Sequence, residues 1–368
     1  MILRRLHAQC FRNLALARLE FGGARTFFVG PNGQGKTNAL EAAGLLGALR
    51  SFRGAEPREL IQHGAAEARV WLALDHERNG AVEVEVVLRP RQREVSINGA
   101  RCARLAELLG RFPVVALSSH DLQLVRGAPA VRRRAMDLAL SSLDEKYFTA
   151  LRRYHAALDN RNALLRGPRT PSPEALAAFE SVMAPEAGLI TMIRAATSVD
   201  LGRHLTTAYD RLTDGAPEQP ALAYQPDASP ETVDAWRELW VASRARDLTM
   251  RTTMRGPHRD DFAFQLQSHG AKSFGSEGQQ RGLVVAWRLA EAAWQRARTG
   301  IAPLVLADDV LGELDPARRA GFWRAAKDVA QVIATGTTPP NKDGVDWEVW
   351  NVNGGTFTRS NSTPTIQC

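Results

Sequence analysis

The decisive stretch of this sequence reads Gly30-Pro31-Asn32-Gly33-Gln34-Gly35-Lys36-Thr37. It matches the pattern G-x-x-x-x-G-K-[ST] at every fixed position, between an apolar run at 26–29 and a helical pattern at 38–49. Glycines allow successive backbone N–H groups to point at a phosphate, and the N-terminus of the following helix adds the positive end of its dipole. The stretch therefore predicts the phosphate-binding loop of an NTPase of unspecified kind, in which Lys36 contacts the β- and γ-phosphates of the nucleotide and the Thr37 hydroxyl binds Mg²⁺.

Such a loop also needs a second Mg²⁺ ligand and a group that orients water. The apolar run 304–307, which predicts a buried strand, leads into Asp308 and Asp309, and Glu313-Leu314-Asp315 follows. We expect Asp308 to hold Mg²⁺, directly or through water, and Asp309 to polarise the attacking water. The alternative is a buried strand that ends in a polar turn, and the phosphate-binding loop favours the metal site.

A third motif, Phe274-Gly275-Ser276-Glu277-Gly278-Gln279-Gln280-Arg281, opens a helical pattern at 279–298. It resembles the Ser-x-Gly-Gln signature of ABC ATPases, and the order of phosphate-binding loop, signature and paired acids is the ABC order. In that class the signature serine and the adjacent helix N-terminus bind the γ-phosphate of ATP held by a second subunit. The resemblance implies that Ser276, Gly278 and Gln279 complete the nucleotide site of a partner copy. The alternative is a local capping box, in which Ser276 and Gln279 exchange hydrogen bonds.

The separation of these motifs discriminates among proteins of this class. Lys36 and Ser276 are 240 positions apart. Transporter ATPases, which have a similar motif order, place the two much closer together, and SMC proteins separate them by long heptad coiled coils. The intervening segment here has a helical period without sustained heptads and is interrupted by prolines. It therefore predicts an insertion of intermediate length that is globular.

Further fragments follow one another along the chain in a fixed order. They are Phe11-Arg12-Asn13, 30–41, Ser51-Phe52-Arg53-Gly54, 121–137, 154–165, Gly256-Pro257-His258-Arg259-Asp260-Asp261, 276–281, 306–315 and Thr335-Gly336-Thr337. In this order they resemble the RecF family, bacterial SMC-like ATPases of recombinational repair, over essentially the whole chain. One departure is Ser118-Ser119-His120-Asp121, where the family usually has a Pro-Glu-Asp or similar run.

The resemblance to RecF proteins implies a slow ATPase of DNA repair and replication restart. It implies that ATP joins two copies head to head on single-stranded DNA or on gapped or junction duplex, and that hydrolysis resets them. It also implies help in loading a recombinase at gaps, with RecR and RecO as protein partners. An SMC-like or transporter-type ABC ATPase subunit with another partner is the alternative function.

Two arginines are candidates for the nucleotide site by the same resemblance. Related SMC-like heads have a basic residue after the first strand near the nucleotide, which corresponds to Arg12, and an arginine after the first helix near the γ-phosphate, which corresponds to Arg53. Both are equally explained as surface arginines of an arginine-rich chain. Asp309 stands where transporter ATPases have glutamate, and its shorter side chain reaches less far, which is consistent with slow hydrolysis.

The charge of the chain favours a polyanionic partner. The 368 residues include 47 basic and 40 acidic side chains, which gives a net charge of +7. Residues 111–169 hold eleven basic and five acidic residues, among them the run Arg132-Arg133-Arg134. Such a segment predicts phosphate contacts with DNA, with a solvated helix surface as the alternative. No run approaches the ~18 uncharged apolar residues of a membrane span, so we expect a cytoplasmic protein without a membrane partner.

The pattern of apolar residues predicts an α/β protein with the fold of an ABC-type P-loop ATPase head. Short alternating runs predict strands in the first 100 residues, and helical periods follow at 129–166, 174–212 and 231–246. We expect an ATP-binding lobe I built from both termini, residues 1–110 with 277–368. We expect an inserted, mainly helical lobe II at residues 111–276, which ends in the signature motif.

Overall fold

Two compact units make up the protein in the computed structural model, which describes residues 1–339 and 344–360. The first unit consists of Met1–Asp121, Thr207–Ala216 and the chain from Val285 on. The second unit consists of Leu122–Thr206 and Pro217–Val284. Segments from both ends of the chain therefore belong to one unit, and the second unit is inserted in sequence between them.

The mixture of strands and helices confirms the expected α/β class. The strands in chain order are β1 (Ile2–Phe11), β2 (Leu14–Glu20), β3 (Arg25–Val29), β4 (Ala68–His76), β5 (Gly80–Arg89), β6 (Gln92–Ile97), β7 (Ala100–Arg101), β8 (Val114–Ser118), β9 (Pro220–Gln225), β10 (Asp261–Leu266), β11 (His269–Gly270), β12 (Leu304–Asp308), β13 (Gln331–Gly336), β14 (Glu348–Asn353) and β15 (Thr356–Arg359). The α-helices are α1 (Lys36–Ala48), α2 (Pro57–Leu60), α3 (Gln123–Arg126), α4 (Pro129–Ser141), α5 (Glu145–Arg166), α6 (Pro173–Thr213), α7 (Val233–Met250), α8 (Ala271–Phe274), α9 (Glu277–Thr299) and α10 (Pro316–Ala325).

An antiparallel sheet in the first unit has the strand order β2-β1-β4-β5-β6-β7. Its strands alternate between buried and exposed positions, as a sheet with one face on the core requires. In β1, for example, Leu6 and Ala8 are buried whereas Arg5 and Gln9 are exposed. This alternation is the reason that the sequence pattern identifies these strands.

A second sheet in the first unit positions the candidate nucleotide site. Its order is β15-β14-β3-β13-β12-β8, and the neighbours from β14 to β8 are parallel. The inner strands are buried on both faces: Leu304, Val305, Leu306 and Ala307 of β12 are at most 1% exposed. In parallel sheets the carboxyl ends of neighbouring strands share one edge, and ligands bind there. The phosphate-binding loop leaves β3 at that edge, and β12 ends there in Asp308.

The boundaries of the expected lobes differ from those of the two units. Lobe II was placed from residue 111, but β8 pairs in parallel with β12, so the first unit extends to Asp121. The segment Thr207–Ala216 also belongs to the first unit, because a Cβ atom at Gly321 of α10 would lie 1.9 Å from the Leu212 carbonyl oxygen. At the other end the second unit continues to Val284 instead of residue 276. The last residues of the expected lobe I, 361–368, lie outside the described part.

Two expected elements also differ in detail. The helical stretch 129–166 is divided into α4 and α5, because Asp144 caps the N-terminus of α5 by accepting a hydrogen bond from the Tyr147 N–H. The segment 214–230, which lies between the expected helices 174–212 and 231–246, contains β9, which pairs antiparallel with β10.

One helix bears on the expectation that the chain has no membrane partner. Within the described residues, α6 is long and apolar enough to cross a membrane by length and composition, with a mean hydropathy of 1.3 over 18 residues. Core helices of water-soluble units pass the same test, so this is weak evidence for a span. Met183 and Ile190 of α6 are fully buried, and Arg194 in the same helix is buried in ion pairs. We therefore interpret α6 as a helix that packs along part of its surface, since 39% of this 18-residue stretch is buried.

Charged side chains are an unusual part of the second unit's interior. The guanidinium of Arg161 is fully buried and forms ion pairs with Glu180, at 2.9 Å, and Asp247, at 2.8 Å. Removal of one partner from such a pair leaves an uncompensated buried charge, which is strongly destabilising. Arg161 belongs to the basic segment 111–169, so part of that segment's charge stabilises the fold.

The run 256–261 is the centre of a second buried network. Arg194 donates to Asp260 Oδ2 at 2.8 Å, and Tyr224 donates to the same oxygen at 2.5 Å. His258 accepts from the Tyr154 hydroxyl through Nδ1 at 2.7 Å, and burial lowers the pKa of His258 to about 4, so its ring is neutral. These contacts explain the distinctive sequence of the run as a packing junction of the second unit.

Candidate functional site

The phosphate-binding loop, residues 30–37, connects the end of β3 to the start of α1. Gly35 precedes α1 with φ 107°, a left-handed conformation that residues other than glycine rarely adopt. A Cβ atom at Gly30 would lie 2.3 Å from the Val352 carbonyl oxygen on β14, so a larger residue does not fit there. Two of the motif's glycines are thus required by the path of the backbone.

Lys36 is folded over this loop and is only 4% exposed. Its ammonium nitrogen donates hydrogen bonds to the carbonyl oxygens of Gly30, at 2.6 Å, and Pro31, at 2.9 Å. An ammonium group beside a helix N-terminus concentrates positive potential at the loop. The arrangement is suited to the β- and γ-phosphates of a nucleotide.

The last hairpin of the chain braces the loop at Gln34. In the turn between β14 and β15, the Gly354 N–H donates to Gln34 Oε1 at 2.7 Å and the Gly355 N–H donates to the Gln34 carbonyl oxygen at 2.8 Å. Gln34 Nε2 in turn donates to the carbonyl oxygen of Asn32 at 3.4 Å. Sequence reasoning missed this brace, although the Gly-Gly pair between two apolar runs was a signal for a tight turn.

The turn after β1 contacts the loop from another direction. Asn13 Nδ2 donates to the Gly33 carbonyl oxygen at 3.3 Å, and Asn38 of α1 donates to Asn13 Oδ1 at 2.7 Å. The neighbouring Arg12 donates through Nε at 2.9 Å and Nη2 at 3.0 Å to the two carboxylate oxygens of Glu41, which is fully buried. Glu41 lies in α1, four positions beyond Thr37, so its contact holds Arg12 against that helix. Asn13 is the residue of this turn that contacts the phosphate-binding loop.

The loop after α1 is tied to the same buried carboxylate. The Ser51 hydroxyl donates to Glu41 Oε1, and the Arg53 N–H donates to Ser51 Oγ at 3.0 Å. Glu41 thus joins the turn after β1 to the loop that carries Arg53. The Arg53 side chain itself is exposed.

Asp308 lies at the end of β12 and receives two hydroxyl hydrogen bonds. Thr37 and Thr335 each donate to Asp308 Oδ1 at 2.8 Å. Burial raises the pKa of Asp308, while these two hydrogen bonds and the positive charge of Arg53 oppose the rise by favouring the ionised carboxylate. Sequence reasoning listed Thr335 only as part of a motif, and its contact with Asp308 could be found only from the adjacent β12 and β13.

The next residue, Asp309, has a strained backbone. Its φ is 56°, in the left-handed region, and its N–H donates to Thr335 Oγ1 at 3.0 Å. The nearby negative charge of Asp309 contributes to the raised pKa of Asp308, after burial. Strain of this kind persists where the surroundings fix the residue, and it is common at functional sites. Thr335 therefore contacts both acidic residues: its hydroxyl donates to the Asp308 carboxylate, and its oxygen accepts from the Asp309 backbone N–H.

The oxygen atoms of Thr37 and Asp308 fit the requirements of Mg²⁺. Mg²⁺ prefers hard oxygen ligands, keeps several waters, and in phosphate sites is held by one or two side chains together with phosphate oxygens. Here a hydroxyl and a carboxylate lie 2.8 Å apart at the edge of the sheet where the phosphate-binding loop begins. The donor set is therefore the one that the motif predicts for the metal.

The signature loop, residues 275–279, forms the capping box that was the alternative interpretation. The Gln279 N–H donates to Ser276 Oγ at 3.3 Å, and the Ser276 N–H donates to Gln279 Oε1 at 2.8 Å. Gln279 Nε2 donates to Glu218 at 2.8 Å. Ser276 is exposed, and Gly278 is partly buried in the first turn of α9. The capping box thus leaves the serine at the surface beside a helix N-terminus.

Known proteins resemble this chain over nearly its whole length. A family model described as the RecF/RecN/SMC N terminal domain matches residues 2–343. A curated DNA replication and repair protein RecF from Gloeobacter violaceus is 40% identical over 353 residues, which is 92% of each chain. The chain belongs to the RecF family. One from Synechocystis sp. is 36% identical over 92% of each chain.

Solved structures of the RecF family share the whole fold. The recombination mediator protein RecF-ATP in the RecFOR pathway superposes with a TM-score of 0.87 and 26% identity, covering 97% of both chains. An SMC head bound to the C-terminal winged-helix domain of ScpA has a TM-score of 0.54 at 16% identity and shows a similar fold alone. The expected ABC-type head is therefore confirmed as the fold class.

The basic segment, residues 111–169, from which the sequence predicts contacts with DNA phosphates, contains both buried and exposed arginines. Arg132 donates to both carboxylate oxygens of Asp261, at 2.7 and 2.8 Å, and Arg133 donates to the Asp260 carbonyl oxygen at 2.6 Å. The expectation that the whole run 132–134 faces a phosphate backbone is therefore wrong for Arg132, whose side chain is 11% exposed. Arg134 is exposed. A net charge counted along the sequence cannot separate these two kinds of arginine.

Proposed function

We propose that this RecF-family protein is a cytoplasmic, slow ATPase of recombinational DNA repair and replication restart. The observation that carries the proposal is the meeting of Lys36, Thr37, Asp308, Asp309 and Thr335 at the carboxyl edge of one parallel sheet. Relatives with this chain's full length are named DNA replication and repair proteins, and one solved relative is described with ATP.

ATP binding would use the phosphate-binding loop and the metal pair. Residues 30–37 present backbone N–H groups and the N-terminus of α1 to the phosphates, and Lys36 adds a positive charge. Thr37 and Asp308 would hold Mg²⁺, which supplies charge neutralisation between the β- and γ-phosphates when bound. For this to happen, the Thr37 hydroxyl must exchange its hydrogen bond with Asp308 for a metal contact.

Hydrolysis would depend on Asp309. Its carboxylate follows the metal ligand directly, and Thr335 fixes its backbone in the left-handed conformation. In this role it would orient the attacking water and polarise it. The short aspartate side chain is consistent with slow hydrolysis. Slow hydrolysis would determine how long the two copies of the dimer stay associated.

Dimerisation would complete the site through the signature loop of a second copy. Ser276 Oγ accepts from the Gln279 N–H, so its own hydroxyl hydrogen is free to be donated to an anion. The exposed N-terminus of α9 adds unpaired backbone N–H groups. A γ-phosphate bound in this way joins two copies, and its release separates them.

DNA binding would use the exposed arginines of the second unit, since those with buried carboxylate partners serve the fold. The exposed arginines of the basic segment that belong to the second unit are Arg134, Arg152, Arg153, Arg166 and Arg169. Contacts of this kind bind phosphates without reading sequence. Single-stranded, gapped or junction DNA would be the substrate, with RecR and RecO as partners that help to load a recombinase.

The proposal is tested by combining light scattering with a DNA gel shift. We expect the protein to dimerise with a non-hydrolysable ATP analogue and Mg²⁺, and its DNA affinity to rise under the same conditions. Ser276→Arg should bind the analogue as a monomer but neither dimerise nor gain DNA affinity. A wild-type protein that stays monomeric, and whose DNA affinity does not respond to the analogue, would contradict the proposal.

A further inference from the structure

Phe274 is the most exposed large hydrophobic side chain in the part of the chain that the structure describes. It is 71% exposed, compared with 61% for Met192, the next in order. It ends α8, two residues before Ser276, and its ring has a tilted contact with His269 at a centroid distance of 5.1 Å. Single exposed apolar residues are common on protein surfaces, so what distinguishes Phe274 is its position beside the signature loop.

The backbone around Phe274 is fixed by a buried glutamine. Gln280 is 6% exposed, and its Nε2 donates to the carbonyl oxygens of Ala271, Lys272 and Gly275 at 3.2, 3.3 and 2.9 Å. Its Oε1 accepts from Arg126 Nε at 2.6 Å.

Gly275 closes the turn that follows. A Cβ atom at this position would lie 2.8 Å from the Ala271 carbonyl oxygen, so only glycine allows the approach. α8 is thus held at both of its ends against the start of α9. The backbone that carries Phe274 is therefore fixed, and the exposed ring extends from a defined place beside the signature loop. A preorganised aromatic group loses little entropy on binding, which is typical of interface anchors.

The proximity of Phe274 to Ser276 identifies what covers it. Two residues span at most about 7 Å of chain, and the phenylalanine ring itself extends further from the backbone. A second copy that brings its bound γ-phosphate to Ser276 must therefore also lie against Phe274. We propose that Phe274 is an apolar anchor of the ATP-dependent dimer and packs against the phosphate-loop unit of the second copy. This inference rests on the proposed function, because it assumes that Ser276 serves a partner's nucleotide.

The charges near Phe274 are close to balance. Glu277 is ion-paired with Arg281 at 3.0 Å and lies 3.9 Å from Arg126, and Glu218 accepts a hydrogen bond from Gln279. Lys272 is exposed in the same short helix. Single-strand binding surfaces combine aromatic rings with a strongly positive groove, and these paired charges do not provide a large positive excess. A protein surface is therefore the partner that we infer, and base stacking is the alternative that the test distinguishes.

The test compares Phe274→Ser with Met250→Ser, a matched change at another exposed apolar residue of the second unit, which is 55% exposed. Light scattering or sedimentation over a range of protein concentrations, with a non-hydrolysable ATP analogue and Mg²⁺, gives the concentration at half-dimerisation. We expect Phe274→Ser to raise this concentration about tenfold or more, as truncation of an aromatic anchor does. Met250→Ser should leave it unchanged, and Phe274→Leu should restore part of the loss.

Three further readings separate the possible outcomes. Nucleotide binding by monomeric Phe274→Ser and its thermal unfolding should match the wild type, because the ring is exposed. If the wild type dimerises and Phe274→Ser dimerises at the same concentration, the anchor is refuted while the proposed function stands. If the wild type itself does not dimerise, the proposed function fails and the anchor with it. A loss of DNA affinity in nucleotide-free monomeric Phe274→Ser, with dimerisation intact, would instead identify a base-stacking residue and overturn the inference.

Discussion

The phosphate-binding loop and the signature loop are both glycine-containing turns that lead into a helix, yet their surroundings differ. The first is enclosed by its own unit: Lys36 is 4% exposed, and Gln34 is held by the turn between β14 and β15. The second is held from beneath by Gln280, while Ser276 and Phe274 remain exposed. The phosphate-binding half of the proposed site is therefore held by contacts within one chain. The signature half has a fixed backbone but exposed side chains, which a second copy could contact.

This contrast predicts that changes in the two loops have different consequences. A change in the phosphate-binding loop should abolish nucleotide binding by a single copy. A change in the signature loop should leave nucleotide binding intact and affect only what depends on a second copy. The largest effects are expected where a charge or a buried clamp is removed, and the smallest where one exposed arginine is lost.

The largest effect is expected for Lys36→Ala. The substitution removes the positive charge that we propose faces the β- and γ-phosphates, so hydrolysis should fall by about 10²-fold or more and ATP affinity should fall with it. Equilibrium binding of a fluorescent ATP analogue and steady-state phosphate release measure both quantities. Lys327→Ala, which removes an exposed lysine of the first unit outside the phosphate-binding loop, is the matched control and should behave as the wild type. Normal ATP binding by Lys36→Ala would contradict the assignment of residues 30–37 as the phosphate-binding loop.

A smaller effect, with the opposite pattern, is expected for Gln280→Ala. The substitution leaves three carbonyl oxygens and Arg126 without their shared partner, which should lower the free energy of unfolding by about 1–3 kcal/mol. ATP-dependent dimerisation should weaken because the signature loop is no longer fixed. Thermal unfolding and light scattering measure these two quantities.

The control for the buried clamp is Glu277→Gln, an exposed change next to the same loop. It should alter neither unfolding nor nucleotide binding, because surface changes away from buried partners have small effects. If Gln280→Ala dimerised with ATP as tightly as the wild type, the hydrogen bonds of Gln280 would not be needed to prepare the signature loop for a second copy. The account of the signature loop as a preformed surface would then be wrong.

The third effect concerns the pH dependence of Mg²⁺ binding. Thr335→Val removes a hydrogen bond that favours the ionised form of Asp308, so the pKa of Asp308, which burial already raises, should rise further. A proton then competes with the metal at higher pH, because only the carboxylate binds Mg²⁺. The acid limb of Mg²⁺-dependent nucleotide affinity, followed by titration at several pH values, should move to higher pH. Thr337→Val, at an exposed position, should leave the limb in place, and an equal limb in both variants would argue against the Thr335–Asp308 contact.

The smallest effect is expected for the basic segment. Arg134→Ala should weaken DNA binding evenly across sequences and flatten the dependence of log affinity on log salt by about 0.9 on duplex DNA. Arg132→Ala should act differently. Because it removes the ion pair with Asp261, it should lower thermal stability, and it should change the dependence of log affinity on log salt less than Arg134→Ala does. Binding titrations at several salt concentrations, with unfolding curves, distinguish the two. Identical salt slopes for the wild type and Arg134→Ala would place the DNA surface elsewhere.

The sequence alone was sufficient to predict structural features whose signals lie within one short stretch of residues. The strand, glycine loop and helix around residues 25–48 have signals within one short window, and so do the buried run before Asp308 and the capping box at Ser276. The strand β8 was not predicted because four apolar residues followed by Ser118 have no period of their own, and only the parallel pairing with β12 distinguishes it.

Contacts between distant residues were the part that sequence could not provide. Thr335 reaches Asp308 across 27 positions, and Arg132 reaches Asp261 across 129. In both cases the partner is determined by which strands are neighbours, and a single sequence does not state that arrangement. The same limitation explains why the basic segment was treated as one surface, although buried and exposed arginines alternate along it.

The central claim, that each nucleotide site is shared by two copies, is tested most directly by mixing two defective variants. Ser276→Arg retains an intact phosphate-binding loop, and Lys36→Ala retains an intact signature loop, so their heterodimer contains one complete site. With a non-hydrolysable ATP analogue and Mg²⁺, light scattering should show association in the mixture and none for either variant alone. Association of Ser276→Arg alone at the wild-type concentration, or no association in a mixture where Ser276→Arg still binds the analogue, would contradict the shared site.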